Sequence, residues 1–164
     1  MSIELYFGPG ACSFVPHVLL EAAGAAFEPK MVKLHKGEQL SEQYKAMNPR
    51  GQVPVLVVDG QVITQIMAIC GYIAEAFPAA QFMPTQLLPR ARLMQTLAWM
   101  NNSVHPSFTH IFMPHKFSPD AAAQASIKAH HMEIFKAQLA EIDALVASAQ
   151  AAGGQYVAAA FGHN

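Results

Sequence analysis

The sequence predicts an α/β domain followed by an all-helical domain, and three features of the chain carry this prediction. First, a strand pattern at Ile3–Phe7 is followed by a helical pattern over residues 13–23 and a second strand pattern over residues 27–34. Second, two runs rich in β-branched residues flank Asp59-Gly60, a dipeptide typical of tight hairpins. Third, the chain after residue 89 is rich in Ala and Met at helical spacing.

The first half of the chain has the order of a compact α/β unit. The helix over residues 13–23 ends at Gly24, because glycine is the usual residue after a helix C-terminus. Since this helix separates the first two strands, we expect those strands to be parallel. The hairpin strands cover residues 52–58 and 61–63, and a helix over residues 65–77 follows them.

The second half of the chain begins after a proline-rich linker between residues 77 and 89. One helix is predicted over residues 91–113, interrupted at Pro106. Another begins at Pro119, directly after the possible cap Ser118, and extends to residue 150. We therefore expect two domains, residues 1–79 and 87–164.

The composition excludes several classes of function. The chain has 164 residues, of which 52% are hydrophobic and 13% charged, and its net charge is −1. This balance indicates a packed globular protein and gives no basic surface for nucleic acid or an anionic membrane. Two cysteines make no disulfide framework, and the N-terminus lacks the pattern of a signal peptide. These features predict a cytoplasmic protein.

A cysteine lies in the turn "PGACSF", between the first strand and the first helix. The N-terminus of a helix presents unpaired N–H groups and a positive dipole end, which favour the thiolate form of Cys12. Gly8 and Gly10 allow a ligand to approach the backbone closely. The alternative is that Cys12 is a small buried apolar residue, and position alone leaves both interpretations open.

Three stretches resemble the glutathione transferase family, most closely its bacterial, cysteine-containing beta-like branch. They are "LYFGPGACSFVPHVLLEAAG", "NPRGQVPVLVVDGQVITQIMAI" and "YIAEAFP", which together cover most of residues 3–78. The second half is similar more loosely, through "WMNNSVHPSF". The resemblance implies a thioredoxin-like N-terminal domain, an all-α partial helical bundle behind it, glutathione as co-substrate, and a homodimer.

The resemblance also implies the catalytic residues. Cys12 matches the position at which cysteine-type relatives place their sulfur beside that of glutathione, and Ser13 matches a neighbouring hydroxyl that supports the thiolate. His105 matches a position from which the helical domain reaches the cysteine site.

Glutathione-binding residues follow from the same resemblance. The Val53-Pro54 bond is expected to be cis, which turns the N–H and C=O of Val53 toward the cysteinyl unit of glutathione. The remaining expected contacts are Lys36 with His35, Gln52, Gln65 and Ile66. Family members usually carry Ser at position 66, where its hydroxyl binds the γ-glutamyl carboxylate. Ile66 cannot donate that hydrogen bond, so we expect weakened binding through the backbone and the helix dipole.

Other residues that bear reactive groups are assigned to structure. His105, His110 and His115 are spaced five apart, which separates successive side chains by about 140° around a helix, so they do not form a metal site. The adjacent His130 and His131 have no acidic partner that would complete one. Cys70 is predicted to pack in the core.

Three functions remain open at this point. One is a glutathione transferase that presents the glutathione thiolate to an apolar electrophile. The second is a non-catalytic binding module of the same fold, and the third is glutathione-dependent thiol-disulfide exchange through Cys12. Ile66 and a C-terminal domain expected to be truncated, with a helix stop at Gly153-Gly154, favour the second function. Cys12, Pro54, Gln65 and His105 favour the first and third, and the transferase is the function that we predict.

Overall fold

The computed structural model describes residues 1–151. The chain forms two compact units, Met1–Phe82 and a second that begins at Met83. The first unit is α/β and the second is helical, which is the predicted fold class. Within the described residues, no helix is both long and apolar enough to span a bilayer.

The first unit is built on a four-stranded mixed sheet in the order β2-β1-β3-β4. Its strands are β1 Ile3–Phe7, β2 Glu28–Met31, β3 Val55–Val58 and β4 Gln61–Thr64. β1 and β2 are parallel, as predicted from the helix between them. β3 is antiparallel to both β1 and β4, and Asp59-Gly60 forms the predicted hairpin turn.

Two helices, α1 (Phe14–Ala22) and α3 (Ile66–Ala76), pack together over the sheet. The side chains between them and the strands are almost fully buried: Ile3, Leu5, Leu20, Leu56, Val58, Ile69 and Ile73. Burial of each large aliphatic side chain contributes about 1.5–3 kcal/mol to folding. This core fixes the ends of β1 and β3, from which the candidate site is built.

The segment between β2 and β3 differs from the prediction. β2 is shorter than expected, because residues 34–36 and 38–40 form two 3-10 turns. A short helix, α2 (Glu42–Met47), was not predicted; its Ser41 cap accepts a hydrogen bond from the N–H of Tyr44 at 3.2 Å.

The second unit consists of α4 (Leu87–Trp99), α5 (His105–Phe112) and the 31-residue α6 (Ala121–Ala151). A single turn of π-helix, Met100–Val104, which we call the π-turn, joins α4 to α5. Pro106 has no N–H to donate to the preceding turn, so the helix widens just before it. The predicted interruption at Pro106 is therefore confirmed.

The predicted start of the last helix is wrong by two residues. α6 begins at Ala121, and the Asp120 carboxylate accepts a hydrogen bond from the N–H of Ala123 at 2.7 Å. The hydroxyl of Ser118 instead accepts the N–H of Asp120 at 3.1 Å, which makes Ser118 a turn residue. The predicted helix stop at Gly153-Gly154 lies outside the described residues.

Candidate functional site

The turn between β1 and α1 is held by the side chain of Ser13. Its Oγ accepts the N–H of Gly8 at 3.0 Å and donates to the carbonyl of Gly8 at 3.2 Å. Ser13 is fully buried, and its hydroxyl is committed to the main chain of the turn. Its observed role is therefore to fix the loop that carries Cys12.

Cys12 joins this turn to a segment 41 residues later in the chain. Its thiol donates a hydrogen bond to the carbonyl oxygen of Val53, with an Sγ–O distance of 3.5 Å. The side chain is half-buried and is not in a disulfide. Two of the predicted site residues, distant in sequence, are thus in direct contact.

The structure corrects the expected thiolate character of Cys12. Burial raises the pKa of its thiol, and this outweighs the lowering by the backbone N–H groups of Cys12 and Ser13. The helix N-terminus does act in the expected direction, but loss of water has the larger effect. In this structure Cys12 is a neutral thiol at neutral pH, suited to donating a hydrogen bond.

The Val53-Pro54 bond is cis, as the resemblance implied, and Pro54 is buried. Strand pairing on both sides of β3 begins at Val55, so the peptide of Val53 precedes the paired part of the sheet. The Val53 carbonyl accepts the hydrogen bond of the Cys12 thiol, so the start of β3 lies next to the turn that precedes α1.

Two residues outside the predicted site, Tyr44 and Asn48, hold this edge in place. The carbonyl of Gln52 accepts the Tyr44 hydroxyl at 2.9 Å and the side-chain amide of Asn48 at 2.8 Å. Burial raises the pKa of Tyr44 to about 12, which keeps its hydroxyl protonated as a donor. Gly51 has a φ of +61°, and a Cβ there would lie 2.9 Å from the backbone oxygen of Gln39.

α3 begins at Ile66, directly after the unusual backbone of Gln65. Gln65 has a φ of +72°, rare for a residue with a side chain, and such a conformation costs on the order of 1–3 kcal/mol. Its side chain makes no capping hydrogen bond to the helix, and Ile66 is half-buried. The first hydrogen bond of the helix runs from the N–H of Ile69 to the carbonyl of Gln65 at 3.0 Å. The N–H groups before Ile69 therefore lie ahead of that first bond.

The remaining predicted binding residues take no part in the Cys12–Val53 hydrogen bond. Lys36 and His35 are exposed in the 3-10 turn Leu34–Lys36. No hydrogen bond described for residues 1–151 joins Lys36, Gln52 or Gln65 to Cys12.

His105 belongs to the second unit, where it begins α5. Its ring is exposed and lies 6.2 Å from that of Phe108, centroid to centroid. A polar network fixes the π-turn before it: the carbonyl of Ser103 accepts the Ser107 hydroxyl at 3.3 Å and the Gln138 amide at 3.2 Å. The Ser107 hydroxyl also lies 2.9 Å from Oε1 of Gln138. A catalytic role for His105 stays a prediction.

The comparisons with known proteins agree on one family. Residues 1–75 match the model of the glutathione S-transferase N-terminal domain. Glutathione S-transferase GstA of Escherichia coli O157:H7 is 32% identical over 136 residues, which are 79% of this chain and 68% of that protein. Protein LigF of Sphingobium sp. is 39% identical over 104 residues, 62% of this chain and 40% of its own.

Solved structures give the same result over more of the chain. A glutathione transferase from Methylococcus capsulatus is 31% identical, with a TM-score of 0.78, covering 97% of this chain and 78% of that one. A transferase homologue from Sulfitobacter has a TM-score of 0.87 at 22% identity, covers 98% of this chain and 78% of that one, and shows the fold alone. The chain thus spans 68% of GstA and 40% of LigF, and 78% of the solved Methylococcus structure. The fold, the family model and the identity to GstA together establish that this chain belongs to the glutathione S-transferase family.

Proposed function

We propose that this chain binds glutathione at the Cys12–Val53 contact and presents the glutathione thiolate to an apolar electrophile. The contact itself carries the proposal, because it places a thiol donor beside the Val53 peptide, which precedes the first paired residue of β3, Val55. A sphingomonad glutathione S-transferase that is 31% identical was solved in complex with glutathione, which supports glutathione as the ligand. We assign the chain to the cysteine-containing branch on the strength of Cys12.

Cys12 acts here as a hydrogen-bond donor, and the nucleophile is the sulfur of glutathione. A buried thiol with a raised pKa keeps its proton at neutral pH. On binding, the Cys12 thiol leaves the Val53 carbonyl and donates its hydrogen bond to the glutathione sulfur, which stabilises the thiolate form of the co-substrate. Ser13 holds the turn that positions Cys12, and His105 is proposed from the resemblance as a second group that tunes the thiolate.

The rest of the binding site follows the extended tripeptide. The N–H and C=O of Val53 pair with the cysteinyl unit, and Gln52 and Pro54 shape that edge. Gln65 and the N–H groups at the start of α3, from Ile66 onward, receive the γ-glutamyl carboxylate. Lys36 is proposed to pair with the glycine carboxylate.

The wider organisation is proposed on the same basis. Residues 1–79 form the thioredoxin-like glutathione-binding domain, and residues 87–164 belong to the helical domain. The electrophile is a small apolar molecule, the protein is a homodimer, and it works in the cytoplasm.

The test combines calorimetric titration with glutathione and conjugation of chlorodinitrobenzene. In that reaction the glutathione sulfur bonds to the ring carbon, chloride leaves, and the thiol proton passes to solvent. We expect binding and turnover in the wild type and a large loss of turnover in Cys12→Ala. The matched control is Cys70→Ala, because Cys70 is the other free cysteine and its burial raises its pKa to about 11.

The other outcomes separate the alternatives. Binding without turnover contradicts a transferase and supports a non-catalytic module. Turnover with disulfide or glutathionylated substrates alone, lost in Cys12→Ala, supports thiol-disulfide exchange. No binding of glutathione at all contradicts the proposal as a whole.

A further inference from the structure

Three aromatic rings form a continuous parallel stack in the second unit. The ring of His110 on α5 lies between Phe117 and His131, with centroid distances of 4.0 and 3.8 Å and interplanar angles of 11° and 9°. Phe117 follows the 3-10 turn Pro114–Lys116, and His131 is on α6. The stack therefore ties together three consecutive elements, and two of its members are titratable.

The tautomer of the neutral His110 ring follows from its hydrogen bond. Its Nδ1 lies 2.8 Å from the carbonyl oxygen of Pro106, one turn earlier. A carbonyl oxygen only accepts, so Nδ1 carries the hydrogen and Nε2 is the bare nitrogen.

His131 is placed where a proton is unfavourable. Its Nδ1 is buried without a hydrogen-bond partner, so a hydrogen added there finds no acceptor among the described residues. Burial lowers the pKa of His131, and the nearby His110 and His130 lower it further. No carboxylate is among the groups that shift this pKa. The neighbouring 3-10 turn carries two further basic residues, His115 and Lys116, both exposed. The carboxylate of Glu133, two residues further along α6, is paired with Lys136.

We propose that the Phe117–His110–His131 stack is a proton-sensitive joint, which holds α5 and the turn after it against α6 at neutral pH and loosens this attachment in acid. One charged imidazole is tolerated against a neutral ring, since a cation is attracted to an aromatic face. A second charge at a centroid distance of 3.8 Å is repelled. Acidification thus separates the rings and weakens the attachment of α5 to α6, which the Ser107–Gln138 hydrogen bond and the Phe108–Phe135 contact still hold.

The direction of the pH effect follows from linkage. The pKa of His131 is lower in the folded state than in the unfolded chain, so the unfolded chain binds more protons as the pH falls. The stabilisation by the stack is complete above the ordinary histidine pKa of about 6.5 and is lost as the pH falls through the folded-state value.

The test is urea unfolding of the full chain, followed by the fluorescence of Trp99. This is the sole tryptophan in the sequence, and it lies on α4 of the second unit. Wild-type protein is compared at about pH 7.5 and about pH 5.5, on either side of the ordinary histidine value. His131→Phe keeps an aromatic ring in the stack and removes its titration. His115→Phe is the matched control, an exposed histidine outside the stack.

We expect the urea midpoint of the wild type and of His115→Phe to fall on acidification, and that of His131→Phe to fall less than about half as far. An equal fall in all three proteins overturns the proposal. If His131→Phe does not fold, His110→Phe replaces it with the same expectation.

A second readout follows the rings without any substitution. We expect an upfield-shifted Hε1 resonance of His110 at neutral pH, because the ring lies between two aromatic faces. We expect that shift to disappear on acidification in step with the titration of His131. Retention of the ring-current shift at the acidic pH of the urea experiment contradicts the joint.

Discussion

Removal of the Ser13 hydroxyl tests the account of the β1–α1 turn most sharply. In Ser13→Ala the N–H of Gly8 loses its acceptor at 3.0 Å, while the carbonyl of Gly8 keeps the N–H of Ala11 at 3.1 Å. Both Gly8 and Ser13 are buried, so water does not replace the lost partner. One buried donor left unpaired costs about 1–3 kcal/mol. At about 2 kcal/mol, the equilibrium between folded and unfolded first unit shifts about thirtyfold.

The matched control is Ser41→Ala, which removes an exposed cap. Ser41 Oγ accepts the N–H of Tyr44 at 3.2 Å, and loss of such a cap typically costs about 1 kcal/mol. Urea unfolding followed by far-ultraviolet circular dichroism measures both variants. We expect Ser13→Ala to be the more destabilised of the two. If it is as stable as wild type and instead changes the pH profile of Cys12 alkylation, Ser13 tunes the thiolate and our assignment is wrong.

Three further substitutions or measurements address the other parts of the structure. Ile66→Ser adds a hydroxyl donor at the start of α3, and one charge-assisted hydrogen bond contributes about 1.5–3 kcal/mol. Calorimetry should therefore show glutathione binding about ten- to a hundredfold tighter. Unchanged affinity would show that the γ-glutamyl carboxylate does not bind at this helix end. Gln138→Leu removes a hydrogen-bond partner of the Ser107 hydroxyl, and Ser107 is only 2% exposed. We expect the free energy of unfolding of the second unit, measured by tryptophan fluorescence, to fall by about 1–2 kcal/mol. Burial raises the pKa of Cys12 and raises that of Cys70 to about 11. Iodoacetamide should therefore alkylate both residues more slowly at neutral pH than it alkylates free cysteine, and Cys12 faster than Cys70. Rapid alkylation of Cys12 at neutral pH would show that it is a thiolate.

The elements that the sequence predicted well are those that one local pattern determines. The parallel β1–β2 pair follows from the helix between the strands, and the β3–β4 hairpin follows from Asp59-Gly60. α2 was missed because six residues carry too little periodicity to separate a helix from a loop. The start of α6 was misplaced because Pro119 and Asp120 both offer acceptable helix starts, and the Asp120 cap prevails.

Part of the candidate site could likewise be predicted from the sequence, and part depends on packing between distant segments. The resemblance implied separate contacts of Cys12 and Val53 with glutathione, and the structure shows the two residues in direct contact. The pKa of Cys12 was expected in the wrong direction, because a helix position is visible in sequence while burial by distant segments is not. Tyr44 and Asn48 donate hydrogen bonds to the carbonyl of Gln52. No local sequence pattern predicts these bonds, because they depend on how α2 packs against the start of β3.

A crystal structure of the chain with glutathione tests the central claim most directly. The account predicts that the cysteinyl unit pairs with the main chain of Val53 and that its sulfur lies within hydrogen-bond distance of Cys12 Sγ. Glutathione bound elsewhere, or a Cys12 thiol that still donates to the Val53 carbonyl beside an empty strand edge, would contradict it.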